Sequence, residues 1–239
     1  MATDGSTPTK AAPLRMEPLG DQALLVILGD RIDPGVNDQV HQLAALVGAG
    51  GLPGVTDLVP AYATLAVHYD PAAWSAAALR AELDRIWADA AAAAPPAPRL
   101  VEIPVCYGLG FGPDLAEVAA HCGLAEAEII ARHSAAEYRV YMLGFAPGFA
   151  YLGGLDPAIA APRRQTPRLK VPAGSVGIAG MQTGIYPLET PGGWQIIGRS
   201  PQRLFRPGQA DPCLLRPGDR LRFVPIDLDA YLAFAEERP

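Results

Sequence analysis

Residues 133–199 read HSAAEYRVYMLGFAPGFAYLGGLDPAIAAPRRQTPRLKVPAGSVGIAGMQTGIYPLETPGGWQIIGR, and this stretch decides how the chain folds. It is dense in Gly and Pro, yet aromatics recur at Tyr138, Tyr141, Phe145, Phe149, Tyr151, Tyr186 and Trp194. A disordered linker lacks such residues, because it cannot bury enough apolar area to offset the entropy of ordering. The stretch therefore reads as ordered, turn-rich β structure. Tyr138 to Leu143 is an expected strand, followed by Ser175 to Ala179, Gly184 to Tyr186, Trp194 to Gly198 and, further on, Leu221 to Val224. Many short strands with regular turn signals predict a barrel or a sandwich, and the pattern alone leaves both open.

Working outward, Val101 to Tyr107 reads as a strand, and Gly108, Gly110 and Gly112 loop into Pro113-Asp114. One helix is expected through Leu115, Val118, Ala119 and Cys122, and a second over Ala125 to His133. Before these lies an Ala run ending in PPAP, which cannot continue a helix and reads as a stiff linker between domains. The N-terminal half predicts β-α-β-β-α, a small two-layer α+β unit. Ala23 to Leu28 is an apolar strand, and Asp33-Pro34 caps a helix carrying Val36, Val40, Leu43 and Val47. Gly48, Gly50 and Gly51 are the expected stop. Val55 to Val59 and Leu65 to Tyr69 form an expected hairpin around Pro60-Ala61-Tyr62. A last helix follows Pro71, with Leu79, Leu83, Ile86, Trp87 and Ala90 as its core stripe. The expected division is a tail over 1–13, an α+β domain over 14–94, a linker over 95–99, a barrel domain over 100–230 and a tail over 231–239, with Asp227 to Glu237 as a candidate terminal helix.

The whole chain has 239 residues, half of them hydrophobic, and a formal net charge of −6. Without a basic stripe, nucleic-acid binding is not expected. No apolar run is long enough to span a bilayer. The polar opening MATDGSTPTKAAPLR lacks the apolar middle of a secretory signal, so a cytoplasmic location is expected. Cys106, Cys122 and Cys213 are odd in number and widely spaced, and His41, His68, His121 and His133 form no ligand pattern, so no metal is expected.

The chemistry concentrates in the opening stretch. Arg163, Arg164, Arg168 and Lys170 lie close together, bracketed by Pro162, Pro167 and Pro172. Guanidinium groups match oxyanions bidentately; a solvated loop face is the competing reading. Gly174, Gly177 and Gly180 around Ser175 could bring backbone N–H groups to an anion, or serve only tight turns. The pattern is no Walker A motif, and G-S-V-G is no nucleophile elbow. Gln182, Thr183 and Tyr186 offer an amide, a hydroxyl and a phenol that could orient a small amide. His133 is a candidate general base, against a role as helix-end partner. Phe145, Phe149, Tyr151 and Trp194 fit either barrel packing or a face that meets a partner.

Tyr138–Leu155, Pro162–Gly180 and Gln182–Trp194, together with E-P-L-G-D-Q-A-L-L-V, V-E-I-P-V-C-Y-G and F-G-P-D-L, resemble the allophanate hydrolase subunit 1 family, also known as KipI or as the B subunit of 5-oxoprolinase. The likeness runs from Leu14 to Pro225, with departures at Ala146, Ala150 and Met181. It implies a small N-terminal α+β domain and a C-terminal cyclophilin-like β-barrel. It also implies two partners, a subunit 2 or C-type homologue and an A-type homologue. Together the three open 5-oxoproline to glutamate with ATP. Alternative implications are carboxyl transfer with biotin in a urea pathway, or inhibition of a histidine kinase. On the leading reading Arg163, Arg164, Lys170, His133, Gln182 and Tyr186 are the catalytic candidates. Gly174, Ser175, Gly180, Thr183 and Arg168 are the substrate- or anion-binding candidates.

Overall fold

In the computed structural model, which describes residues 13–90 and 97–236, the chain divides into two compact units, with the division at Ala97 and Pro98. The expected tail over 1–13, apart from Pro13, and most of the Ala-Pro linker lie outside the described residues.

In the first unit, the Asp33-Pro34 signal produces α1 (Pro34–Gly50), with the Asp33 carboxylate accepting from the Val36 N–H at 3.0 Å. The helix runs through Gly48 and ends only at Gly51, whose φ of 55° is left-handed. Of the expected stops Gly48, Gly50 and Gly51, it is Gly51 that ends the helix, since one internal glycine costs a helix only about 1 kcal/mol. Strands β1 (Arg15–Pro18), β2 (Ala23–Ile27), β3 (Val55–Pro60) and β4 (Thr64–Tyr69) form an antiparallel sheet in the order β1-β2-β4-β3. The polar edge strand β1 was not foreseen, because Met16 is its one buried side chain. Leu24 and Val26 pair with Val67 and Leu65, so their side chains share one face. That face packs on Val40, Leu43 and Val47 of α1 and on Leu79 and Leu83 of α2 (Ala76–Ala90). Each fully buried aliphatic contributes roughly 1.5–3 kcal/mol.

The second unit settles the choice between barrel and sandwich. Its strands are β5 (Leu100–Tyr107), β6 (Glu137–Leu143), β7 (Ala150–Gly153), β8 (Arg168–Val171), β9 (Ser175–Ala179), β10 (Gln182–Ile185), β11 (Thr190–Gly192), β12 (Gln195–Arg199) and β13 (Arg220–Pro225). Seven of them close a barrel in the order β10-β7-β6-β13-β5-β12-β9, and β8 pairs with β11 in a separate two-stranded sheet. The protein is thus α+β with a closed barrel. Helices α3 (Leu115–Cys122) and α4 (Glu126–Ala135) join β5 to β6. Ile103, Val105, Val140, Val176, Ile178, Leu221 and Phe223 belong to one buried core. A smaller cluster forms from Phe149, Val171, Ala179, Tyr186, Trp194 and Ile196. Helix α5 (Leu228–Glu236) follows β13, and Tyr231 lies 4.3 Å from the Phe111 ring, centroid to centroid. Residues 231–236 therefore belong to this unit rather than to a tail.

Candidate functional site

The centre of the polar architecture is a residue that the sequence reading passed over. Asp114 stands at the start of α3, where a carboxylate would ordinarily cap the helix, yet it caps nothing. Instead it is buried and accepts four hydrogen bonds. Arg164 donates from Nη1 to Oδ1 at 2.8 Å, and Arg168 donates from both terminal nitrogens at 2.8 and 2.7 Å. The fourth comes from the Ile196 N–H at 2.6 Å, while the Asp114 N–H donates to the Ile196 carbonyl at 2.9 Å. Asp114 thus ties α3 to β12 and holds two guanidinium groups at once. Such two-pronged Arg–carboxylate geometry is among the stronger polar contacts. These hydrogen bonds raise the Arg168 pKa further above its ordinary value.

The four cations therefore do not form one open cluster. The proline-bracketed segment is partly strand, since Arg168 and Lys170 lie on β8. Arg164 and Arg168 are both committed to Asp114. Lys170, a catalytic candidate by sequence, is 78% exposed and pairs with Glu189 at 3.2 Å rather than with Asp114. Arg163 is exposed. Tyr186 is buried, which pushes its hydroxyl pKa up, while the Trp194 N–H and the charges of Arg163 and Arg168 pull the other way. Arg163 and Arg168 thus lie within electrostatic reach of Tyr186. Gln182 begins β10 opposite Ala179 and is half-buried. Two buried atoms, Arg164 Nε and Gln195 Oε1, have no hydrogen-bond partner among the described residues. The same region is pinned by Arg164 N–H donating to Gly193 O at 2.8 Å and Gln195 Nε2 donating to Pro162 O at 3.2 Å.

His133 is corrected as a general base. It is fully buried, its ring stacks on Phe223 at 4.5 Å, and both ring nitrogens are engaged. The Thr183 hydroxyl donates to Gly177 O at 3.0 Å, so it accepts from His133 Nε2–H at 2.8 Å. His133 Nδ1 then accepts from the Tyr107 hydroxyl at 2.7 Å. This chain satisfies one neutral tautomer completely. Burial lowers the His133 pKa from 6.5 to about 3. Thr183, interior and bonded at both ends, does not face a substrate.

The glycine segment is corrected too. The N–H groups of Gly174, Ser175 and Gly180 donate to Tyr186 O (2.7 Å), Pro172 O (3.2 Å) and Ala161 O (2.7 Å), so none is left for an anion. Gly174 is required for space: its φ is 81°, and a Cβ there would come within 2.2 Å of the Ser200 carbonyl. The Ser175 hydroxyl is buried and has no hydrogen-bond partner among the described residues. Of the aromatic candidates, Phe149 and Trp194 are buried within the chain, with rings 5.6 Å apart and nearly perpendicular, and are corrected as surface contacts. Tyr151 is half-buried and edges Phe149 at 5.1 Å. Phe145 alone of the four stays largely open, at 64% exposure, with a left-handed φ of 68°. Among the described residues no group of three or more His, Cys, Asp or Glu is placed to hold a metal. No described helix is long and apolar enough to cross a membrane.

The chain as a whole has counterparts among known proteins. The profile of the carboxyltransferase domain, subdomain C and D, matches residues 14–215, and the chain belongs to this family. It is 46% identical over 233 residues to the 5-oxoprolinase B subunit of Bacillus subtilis (strain 168), a match covering 93% of this chain and 97% of that one. Against the 5-oxoprolinase B subunit of Escherichia coli O157:H7 the identity is 51% over 208 residues, covering 87% and 94%. Among solved structures, TTHA0988 superposes with a TM-score of 0.77 at 40% identity, over 86% of this chain. The match spans only 40% of the TTHA0988 chain.

Proposed function

We propose that the protein is the B-type component of an ATP-dependent 5-oxoprolinase, which opens the cyclic amide to glutamate with partners of the A and C types. The observation that carries this reading is the near-complete, two-way match to the B. subtilis protein. The site geometry is compatible with it. The substrate and product both carry carboxylates, and Arg163 is an exposed cation within electrostatic reach of Tyr186. In this reading Asp114 orients Arg164 and Arg168, while Arg163 and Tyr186 meet the ligand. ATP would be bound mainly by a partner, because the glycine segment of this chain uses its own N–H groups internally. The exposed Phe145 is the part of the aromatic set available to a partner protein. A cytoplasmic location accords with a soluble metabolic complex.

The test is reconstitution. The purified chain is mixed with its candidate A-type and C-type partners, 5-oxoproline and ATP are added, and glutamate and ADP are measured. Turnover that requires this chain supports the reading. Absence of turnover, where a known set of components is active under the same conditions, overturns it.

A further inference from the structure

One turn occurs twice near the end of the barrel unit. Arg206-Pro207-Gly208-Gln209 and Arg216-Pro217-Gly218-Asp219 share the order Arg-Pro-Gly-polar. Gly208 and Gly218 each have φ of 89°. The fourth residue of each donates its N–H to the arginine carbonyl, at 3.3 Å for Gln209 and 3.1 Å for Asp219. Proline second and a left-handed glycine third define a type II turn. The segment between the two turns folds back on itself. Phe205 and Cys213 form an antiparallel bridge, and the Arg206 N–H donates to Pro212 O at 2.7 Å.

Both arginines consequently border one cavity of about 160 Å³, together with Arg99, Gln209, Asp211 and Cys213. Arg99 is fixed, donating to Asp219 from Nε at 3.2 Å and Nη2 at 2.6 Å, and to Leu214 O at 2.7 Å. Arg216 pairs with Asp211. Arg206 is half-buried, and its guanidinium makes no ion pair or hydrogen bond among the described residues. Three guanidinium groups face two carboxylates, which leaves the cavity net positive. Burial pushes the Cys213 thiol up, so it stays protonated and adds no opposing charge. A partly desolvated, unpaired cation is unfavourable unless an anion meets it.

We infer that this cavity is an oxyanion site, with Arg206 as its open ligand-binding group, for a small molecule bearing a carboxylate or a phosphoryl group. The two Arg-Pro-Gly turns fix where the guanidinium groups start, and Gln209 adds an amide donor at the rim. The site draws on neither Asp114 nor Arg163, so it stands apart from the proposed reaction centre.

The experiment is calorimetric titration of the full chain with inorganic phosphate and, separately, with L-glutamate, at an ionic strength held constant with sodium chloride. Saturable one-to-one binding of at least one is expected. Phosphate alone assigns a phosphoryl ligand, and glutamate alone a carboxylate. Arg206→Gln should weaken binding at least tenfold, whereas Arg85→Gln, on α2, should bind like the parent. Saturating ligand should also slow alkylation of Cys213 by N-ethylmaleimide in the unmodified chain, read on its peptide by mass spectrometry. This second readout holds even if the Arg206 variant fails to fold. The proposal is overturned if neither ligand saturates, if Arg206→Gln binds like the parent, or if ligand leaves the Cys213 rate unchanged.

Discussion

The barrel interior and the start of α3 each bury a polar network, and they are built on opposite plans. Inside, Tyr107, His133 and Thr183 pass hydrogen bonds in one direction to the Gly177 carbonyl, and no member is charged. At α3, one carboxylate faces two guanidinium groups, and those groups are a quarter or more exposed while Asp114 is 3% exposed. The interior network is closed, since each donor has its acceptor. The Asp114 network is open at its outer side, where arginine donors outnumber the carboxylate oxygens. A closed neutral network holds a fold together, and an open charged one can also receive a ligand.

Breaking the charged network should have the largest effect. Asp114→Ala leaves two partly buried guanidinium groups and the Ile196 N–H without their acceptor, and should cost about 3–5 kcal/mol of stability. Urea unfolding at neutral pH measures it, and a loss below about 1 kcal/mol would show that the arginines find other partners. His133→Leu should cost less, about 1–3 kcal/mol, mainly from the Tyr107 hydroxyl left without an acceptor. A further consequence separates the two networks by pH. The folded-state pKa of His133, about 3, lies below its unfolded value of 6.5. Between these values the unfolded state binds the extra proton. The contribution of His133 is therefore complete above pH 6.5 and is lost as the pH falls toward 3, by at most about 1.4 kcal/mol per pH unit. As the pH falls through that window the parent should lose its neutral-pH advantage over His133→Leu, so the two stability profiles should converge; parallel profiles would contradict the buried neutral imidazole.

The smallest stability effects are expected at the surface cations. Arg163→Ala and Lys170→Ala should each stay within about 0.5 kcal/mol of the parent. They should part in the reconstituted turnover assay. Arg163→Ala should lower turnover tenfold or more, the scale of a lost charge-assisted hydrogen bond. Lys170→Ala should leave turnover within about twofold, because its ion pair with Glu189 is a solvated one. Equal turnover by both variants would remove Arg163 from the site.

Much of the fold was legible because its signals are local. Asp33-Pro34 acts through neighbouring backbone groups, and the Val67 and Tyr69 alternation marks a half-buried strand whatever its partner. Six of the seven barrel strands were legible as strands, β7 being missed among the Gly-rich aromatics around it, but their closure was not, since it depends on β13 finding β5 and β6 far away in sequence. The site was less legible for a related reason. Arg164, Arg168 and Lys170 look alike in sequence, and what separates them is a carboxylate 50 residues from Arg164 and 54 from Arg168. Asp114 carried one available signal: an acidic residue after Pro113 that reads as an ordinary helix cap. His133 carried a misleading one, since an imidazole near neutrality suggests proton transfer until its depth is known. The glycines around Ser175 suggested an anion cradle, but the spare N–H groups such a cradle requires are taken by β-type neighbours.

The pairing of β5 with β13 has a consequence for how the chain is made. Arg220 lies opposite Leu100 in a parallel register, and Phe223 opposite Ile103. On its other side β13 takes β6, with Leu221 opposite Tyr138. One late strand therefore fills the gap between two early ones. While a ribosome is still synthesising residues short of 220, β5 and β6 each carry an unpaired edge, and the first unit has already emerged. Open edges invite pairing with other chains, and long-range strand pairing is slow. The nascent barrel thus passes through an interval of vulnerability that ends only with the arrival of β13, the last of its seven strands.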